Sequence, residues 1–282
     1  MENIVEINGL TKKYDDFTLD NINLNIKKGS IMGLIGANGA GKTTIIKLML
    51  NSVHKDSGDI KIFGMDSFES EKDIKQDLGV ILDGCFFFFL IRLNEIPFVM
   101  KNTYKNWDTD LYFNYLKRFN LNPKKRIRDL STGMKMKLKI AIILSHNPKL
   151  LVLDECTNGL DPVMRNEMLD IFSEFVDEEK SIIFSTHITS DLERIADQIT
   201  FISDGKIIIS DDKDNLLNNY QIVKCGKDEL GRFNKEDILR VKENKDNFEV
   251  LLKNGGNGNS RLTLEDIMIV YERGVSLEGI NL

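Results

Sequence analysis

The stretch Gly36-Ala-Asn-Gly-Ala-Gly-Lys-Thr43 constrains this chain more than any other, because Gly, four residues, Gly-Lys-Thr is the spacing of a phosphate-cradling loop. It lies between Ile31-Met-Gly-Leu-Ile35, which reads as a short buried strand, and Thr43–Leu50, where apolar residues recur at helical spacing. In such a turn the backbone N–H groups of Gly36, Ala37, Asn38, Gly39, Ala40 and Gly41 face inward around an anion. The helix that follows points its positive end at the same place. Lys42 is then placed to reach the β/γ-phosphates of a nucleotide, the Thr43 hydroxyl a Mg²⁺ ion, and Thr44 continues the binding segment. The bland alternative is a Gly-rich turn that binds nothing. Strand, loop and helix falling in the required order weigh against it.

Bulk properties narrow the class. A chain of 282 residues holds one large domain, or one domain with a small appendage, and 41% hydrophobic residues suffice for a packed core. A net charge of −6 argues against nucleic acid as the main partner. Cys85, Cys156 and Cys225 are too few and too scattered for a disulfide framework, and no pair has metal-site spacing, which points to a reducing compartment. The first residues show no basic start followed by an apolar stretch, so no secretory leader is expected. The longest apolar run, Cys85–Ile91, falls short of the ~18 residues that span a bilayer. A cytoplasmic location follows, with any membrane role exercised through a partner.

Along the chain, residues 1–35 read as a strand-rich lobe, about 84–147 as mainly helical, and from Leu150 to a helix near 189–196 as strand–helix alternation. Alternation of this kind implies a parallel sheet covered by helices, with ligands at the carboxyl ends of its strands. Residues 221–282 read as a small accessory domain with a flexible 253–260 turn and a last helix over 264–271.

Two further elements carry chemistry. Leu150-Leu-Val-Leu-Asp-Glu155 is an apolar strand ending in two carboxylates, and running alongside the first strand it would deliver both beside bound phosphates. Asp154 suits Mg²⁺ binding, since hard cations prefer carboxylate oxygen, and Glu155 suits polarising a water for in-line attack. Leu130-Ser-Thr-Gly-Met134 opens a helix running to Leu144, with Ser131 as N-cap. By itself it is a capped helix start.

Taken together, these three elements resemble the nucleotide-binding subunit of an ABC transporter over about residues 2–217. The resemblance implies an α/β fold: a P-loop NTPase of the ABC ATPase type (1–220) with a strand-rich N-terminal lobe, a helical subdomain near 84–147, and a small C-terminal α+β appendage (221–282). It implies ATP and Mg²⁺ as cofactors. Ser131 and Gly133 are then the signature that binds the γ-phosphate held by the opposite subunit. His187 in Phe184-Ser-Thr-His187 matches the family's switch histidine, and Asp161 in Gly159-Leu-Asp161 its loop that communicates across the dimer. Tyr14 matches the aromatic that stacks on adenine, a core tyrosine being the alternative.

The chain also departs from the family pattern. Asp83 stands where the family has a Gln that senses Mg²⁺ and the membrane partner; its carboxylate can still ligate Mg²⁺, with a shorter arm and an added charge. Cys156 replaces Pro, and Thr132 and Met134 replace Gly and Gln of the signature. Asp83, the 130–144 segment and the tail together resemble bacterial exporters whose permease is a separate polypeptide, serving drug or peptide efflux or self-protection. Phe86–Phe89 is either a buried edge or the apolar patch that receives a permease helix, and Lys124–Arg128 reads as a solvated face.

The expected activity is ATP hydrolysis by two copies facing head to tail, as homodimer or heterodimer, powering separately encoded membrane permease subunits from the inner face of the cell membrane. Two alternatives remain. One is a soluble ABC protein acting on ribosomes or DNA, against which stand the single phosphate loop and the lack of long heptads. The other is a catalytically weak regulatory partner in a heterodimer, against which stand Glu155 and His187.

Overall fold

Two sheets of opposite character sandwich the helix that follows the phosphate loop. The computed structural model describes residues 2–82, 90–253 and 262–276. The chain opens with β1 (Asn3–Lys13), β2 (Thr18–Lys27), β3 (Ile31–Ile35) and α1 (Lys42–Met49), then β4 (Ser57–Ile62) and the short β5 (Met65–Asp66). Next come α2 (Glu71–Gln76), β6 (Leu78–Ile81), and the helices α3 (Ile96–Thr103), α4 (Thr109–Arg118) and α5 (Thr132–Leu144). Strand–helix alternation follows with β7 (Leu150–Asp154), α6 (Pro162–Phe175), β8 (Ser181–Thr186), α7 (Thr189–Ile195), β9 (Gln198–Ser203), β10 (Lys206–Asp212) and α8 (Lys213–Asn219). The C-terminal segment adds β11 (Tyr220–Cys225), β12 (Ile238–Glu243), β13 (Phe248–Lys253) and α9 (Leu264–Arg273).

The larger sheet has the order β10-β9-β3-β8-β7-β6 and is parallel except for β10. Its central strands β3, β7 and β8 are buried along their whole length, as expected of strands covered on both faces. Successive side chains divide between two cores. Met32, Leu34, Val152 and Ile183 join α1 and the antiparallel sheet β2-β1-β4-β5. Ile31, Ile35, Leu151, Leu153, Ile182 and Phe184 join α5, α6, α7 and α9. Each fully buried Leu or Ile contributes about 1.5–3 kcal/mol to this stacking.

The strand order corrects one expectation. The carboxylate-bearing strand β7 does not run alongside β3, because β8 lies between them. The physical reason is the crossover through α6: the chain leaves β7 and returns inside it, and the ends of three strands, not two, converge below the phosphate loop. Strand β4 ends before Phe63, whose backbone adopts a left-handed conformation (φ 56°) in the turn to β5. Asp83, Phe86–Phe89 and the 254–260 part of the flexible turn lie outside the described residues.

His146, between α5 and β7, is buried and stacks flat on Tyr104 at 3.9 Å between ring centroids. Burial pushes its imidazole down to about 4 from the ordinary 6.5. The unfolded chain therefore takes up the proton first as pH falls. This stability is fully present above pH 6.5 and is lost as pH drops toward 4. Denaturant titration at pH 5 should show a loss of about 2 kcal/mol relative to pH 7.5 that His146→Phe lacks. An equal loss in the variant would assign the acid sensitivity to other groups.

Candidate active site

The carboxyl ends of β3, β8 and β7 bring five of the expected residues into one cluster. β3 leads into the phosphate loop, and two of its glycines are required by geometry. A Cβ on Gly36 would lie 2.2 Å from the backbone oxygen of Ile202, and Gly41 holds a φ of +116° against the Phe17 ring. The loop so formed buries Lys42, which is 5% exposed. Its ammonium donates to the carbonyls of Gly36 (2.7 Å) and Ala37 (3.1 Å) and lies 3.6 Å from Glu155 Oε1. Asn38 and Gly39 are exposed at the loop's crest, while Ala40 is buried beneath it and Thr44 is half-buried in the first turn of α1.

Thr43 donates its hydroxyl to Asp154 Oδ2 at 2.9 Å. The other carboxylate oxygen, Oδ1, is buried and has no hydrogen-bond partner. A buried carboxylate oxygen left unsatisfied is costly, and beside a hydroxyl it is the donor set a hard cation would satisfy. Among the described residues no three His, Cys, Asp or Glu side chains gather around one point to hold a metal. A cation here would thus be completed by phosphate and water oxygens. The residues present fit Mg²⁺ on those terms.

Glu155 follows at the very end of β7 with φ +49°, a left-handed backbone that a non-glycine residue adopts only when its surroundings enforce it. Here the enforcement is visible: its N–H donates to the Ser185 carbonyl (2.9 Å), and its carbonyl accepts from Asn158 (3.2 Å). That twist turns the carboxylate back toward Lys42. On its other side His187, at the end of β8, sits with Nδ1 2.8 Å from Glu155 Oε2. A carboxylate accepts, so the ring donates from Nδ1 and its Nε2 is directed elsewhere. One carboxylate thus bridges a lysine from β3's loop and a histidine from β8.

The remaining expected residues stand apart from this cluster. Ser131 is exposed and accepts from the Met134 N–H at 3.3 Å, capping α5. Gly133 lies against α6, where a Cβ would meet Met164 Sδ at 2.6 Å. Asp161 caps α6, accepting from Val163 and Met164 at 3.0 Å each. Tyr14 is 44% exposed beside Phe17, which removes the core alternative for it. The half-turn from β1 to β2 therefore presents Tyr14 on the same side as Phe17, the ring that packs on Gly41. Phe17 was not foreseen from the sequence, where an apolar residue entering a strand gives no sign of touching a distant loop. Asp83 lies outside the described residues.

A glycine loop on a parallel strand, a carboxylate pair on a second strand one place removed, and a histidine between them define a P-loop ATPase of the ABC type. Residues 19–158 match the ABC transporter family. The lantibiotic transport ATP-binding protein SrtF of Streptococcus pyogenes is 38% identical over 76% of this chain and 93% of its own length. The bacitracin transport ATP-binding protein BcrA of Bacillus licheniformis is 35% identical over 74% of this chain and 69% of its own. Among solved structures, the ATP-binding subunit of an ABC transporter superposes with a TM-score of 0.69 at 24% identity, covering 76% of this chain and 91% of that one, a likeness of fold. The chain belongs to the ABC transporter ATP-binding proteins, and it binds and hydrolyses ATP. Among the described residues no helix is long and apolar enough to cross a membrane.

Proposed function

We propose that this chain is the motor of a peptide exporter, that two copies close head to tail over two ATP molecules, and that the membrane path is a separately encoded permease. The observation that carries the shared site is the division of the functional residues. Lys42, Thr43, Asp154, Glu155 and His187 form one connected cluster, whereas Ser131 and Asp161 are exposed and bonded only within their own helix starts. Val163, next to Asp161, is 78% exposed. A second subunit would cover these groups and place the positive end of α5 against the γ-phosphate.

In this reading Lys42 and the loop amides bind the β/γ-phosphates, and Tyr14 stacks on the base. Thr43 and Asp154 hold Mg²⁺, which when bound neutralises charge developing on the phosphate oxygens. Glu155 accepts a proton from the water that attacks the γ-phosphorus as the bond to the bridging oxygen breaks. His187 holds that carboxylate from its other oxygen. Loss of phosphate removes what both subunits share, and the pair opens.

Peptide export is supported by the resemblance to SrtF and BcrA, named for lantibiotic and bacitracin transport. The test is ATP-driven uptake of labelled peptide antibiotic into inside-out vesicles carrying this chain with its permease. Uptake that requires ATP and is lost with Lys42→Ala is the expected result. ATP-driven loss of preloaded peptide from the same vesicles would reverse the proposed direction.

A further inference from the structure

We infer that the C-terminal helix α9 is a brace on the active-site elements and that Glu193 is the positioning residue linking it to His187. The inference rests on the reading of His187 as a site residue. Helix α7 starts two residues after His187 and packs against both β8 and α9. Its Glu193 carboxylate reaches outward and accepts the N–H of Leu264, the first residue of α9, at 2.7 Å. The Glu193 carbonyl accepts from Lys213 Nζ at 2.9 Å.

The first N–H groups of a helix have no partner within it. In α9 the Thr263 cap serves Asp266, and the Leu264 N–H is served by a side chain from another element. The start of α9 is therefore completed only when α7 is in place. Leu264, Ile267, Val270 and Tyr271 then form a buried stripe at helical spacing.

That stripe reaches both halves of the site. Leu264, Ile267 and Met268 line one tight apolar contact with Ile199, Phe201 and Ile35, and Ile35 immediately precedes the phosphate loop. Tyr271 packs edge-on against Phe201 at 5.1 Å. The three-stranded sheet β11-β13-β12 holds α9 from behind: Arg240 stacks on the Tyr271 ring at 4.3 Å and donates to its hydroxyl at 2.9 Å. Any movement of the sheet is passed through α9 to the segments that precede Gly36 and follow His187.

The test uses the full chain labelled at its three histidines, His54, His146 and His187. Glu193→Ala should move the His187 ring resonances, leave those of His54 and His146 in place, and lower kcat for ATP about fivefold with KM nearly unchanged. Glu193→Gln should behave as wild type, because its amide oxygen accepts the same N–H. An unmoved His187 ring in Glu193→Ala, with or without a loss of kcat, overturns the brace. So does wild-type kcat despite a moved ring, or equal damage from Glu193→Gln. His187→Ala is measured alongside: undiminished turnover there would sink the site assignment itself, while the ring shift in Glu193→Ala still reports whether the brace exists.

Discussion

Glu155→Gln should bind ATP with near wild-type affinity, lose turnover by about 10²–10⁴-fold, and sediment as a stable dimer when ATP and Mg²⁺ are present. The substitution keeps the size of the side chain and an acceptor toward His187 Nδ1, so the 2.8 Å contact can persist. What it removes is the basic oxygen. It also removes the charge that lies 3.6 Å from Lys42, so the lysine's attraction to phosphate is less opposed. Binding and chemistry therefore separate in this variant, a difference of about 2.7–5.4 kcal/mol confined to the transition state. Radiolabelled ATP retention together with phosphate release measures both. Normal turnover would mean that another group positions the attacking water.

Lys42→Ala should fail at the earlier step. Its ammonium is held by two carbonyls of the loop and is the one cation inside the described cluster. A hydrogen bond to a charged group is worth about 1.5–3 kcal/mol, so ATP affinity should fall about 10- to 150-fold. At saturating ATP the turnover should fall a further ~10²-fold, because the same charge stabilises the transferring phosphoryl group. The variant also removes the ammonium that lies beside the Glu155 carboxylate. Isothermal titration with ATP gives the first quantity and steady-state hydrolysis the second. ATP affinity unchanged in Lys42→Ala would remove the phosphate loop from the binding site.

Much of this site is legible in the sequence, because its parts are local. The Gly36–Thr43 loop, the apolar run ending at Asp154-Glu155, the cap at Ser131 and the strand end at His187 each occupy one short segment with its own spacing rule. The parallel sheet follows from strand–helix alternation in the same way. What joins the segments is not local. That β8 separates β3 from β7 depends on crossover geometry, and short, fully buried runs with apolar centres fit any central position equally well. The left-handed backbone at Glu155 is imposed by contacts from Ser185 and Asn158, which no pattern at Glu155 announces.

The tail was the least readable part for a similar reason. Its first strand pairs antiparallel with its last over a long separation, Tyr220 with Lys253, and the strands alternate only weakly between apolar and polar. Helix α9 does carry its apolar stripe in plain view. Its partners Ile35, Ile199 and Phe201 lie far back in the chain, so the stripe reveals a buried face and not what it covers.

Mixing two inactive variants tests directly whether the site is shared between two chains. Lys42→Ala disables the phosphate loop, and Ser131→Arg blocks the start of α5 while leaving the loop intact. Each variant alone should be nearly inert. Mixed in equal amounts, about half of the dimers pair one of each, and in those the intact loop faces the intact Ser131 of the Lys42→Ala partner. A shared site predicts that ATP hydrolysis reappears on mixing. Activity of Ser131→Arg alone at the wild-type rate, or no recovery in a mixture shown to contain heterodimers, would contradict it.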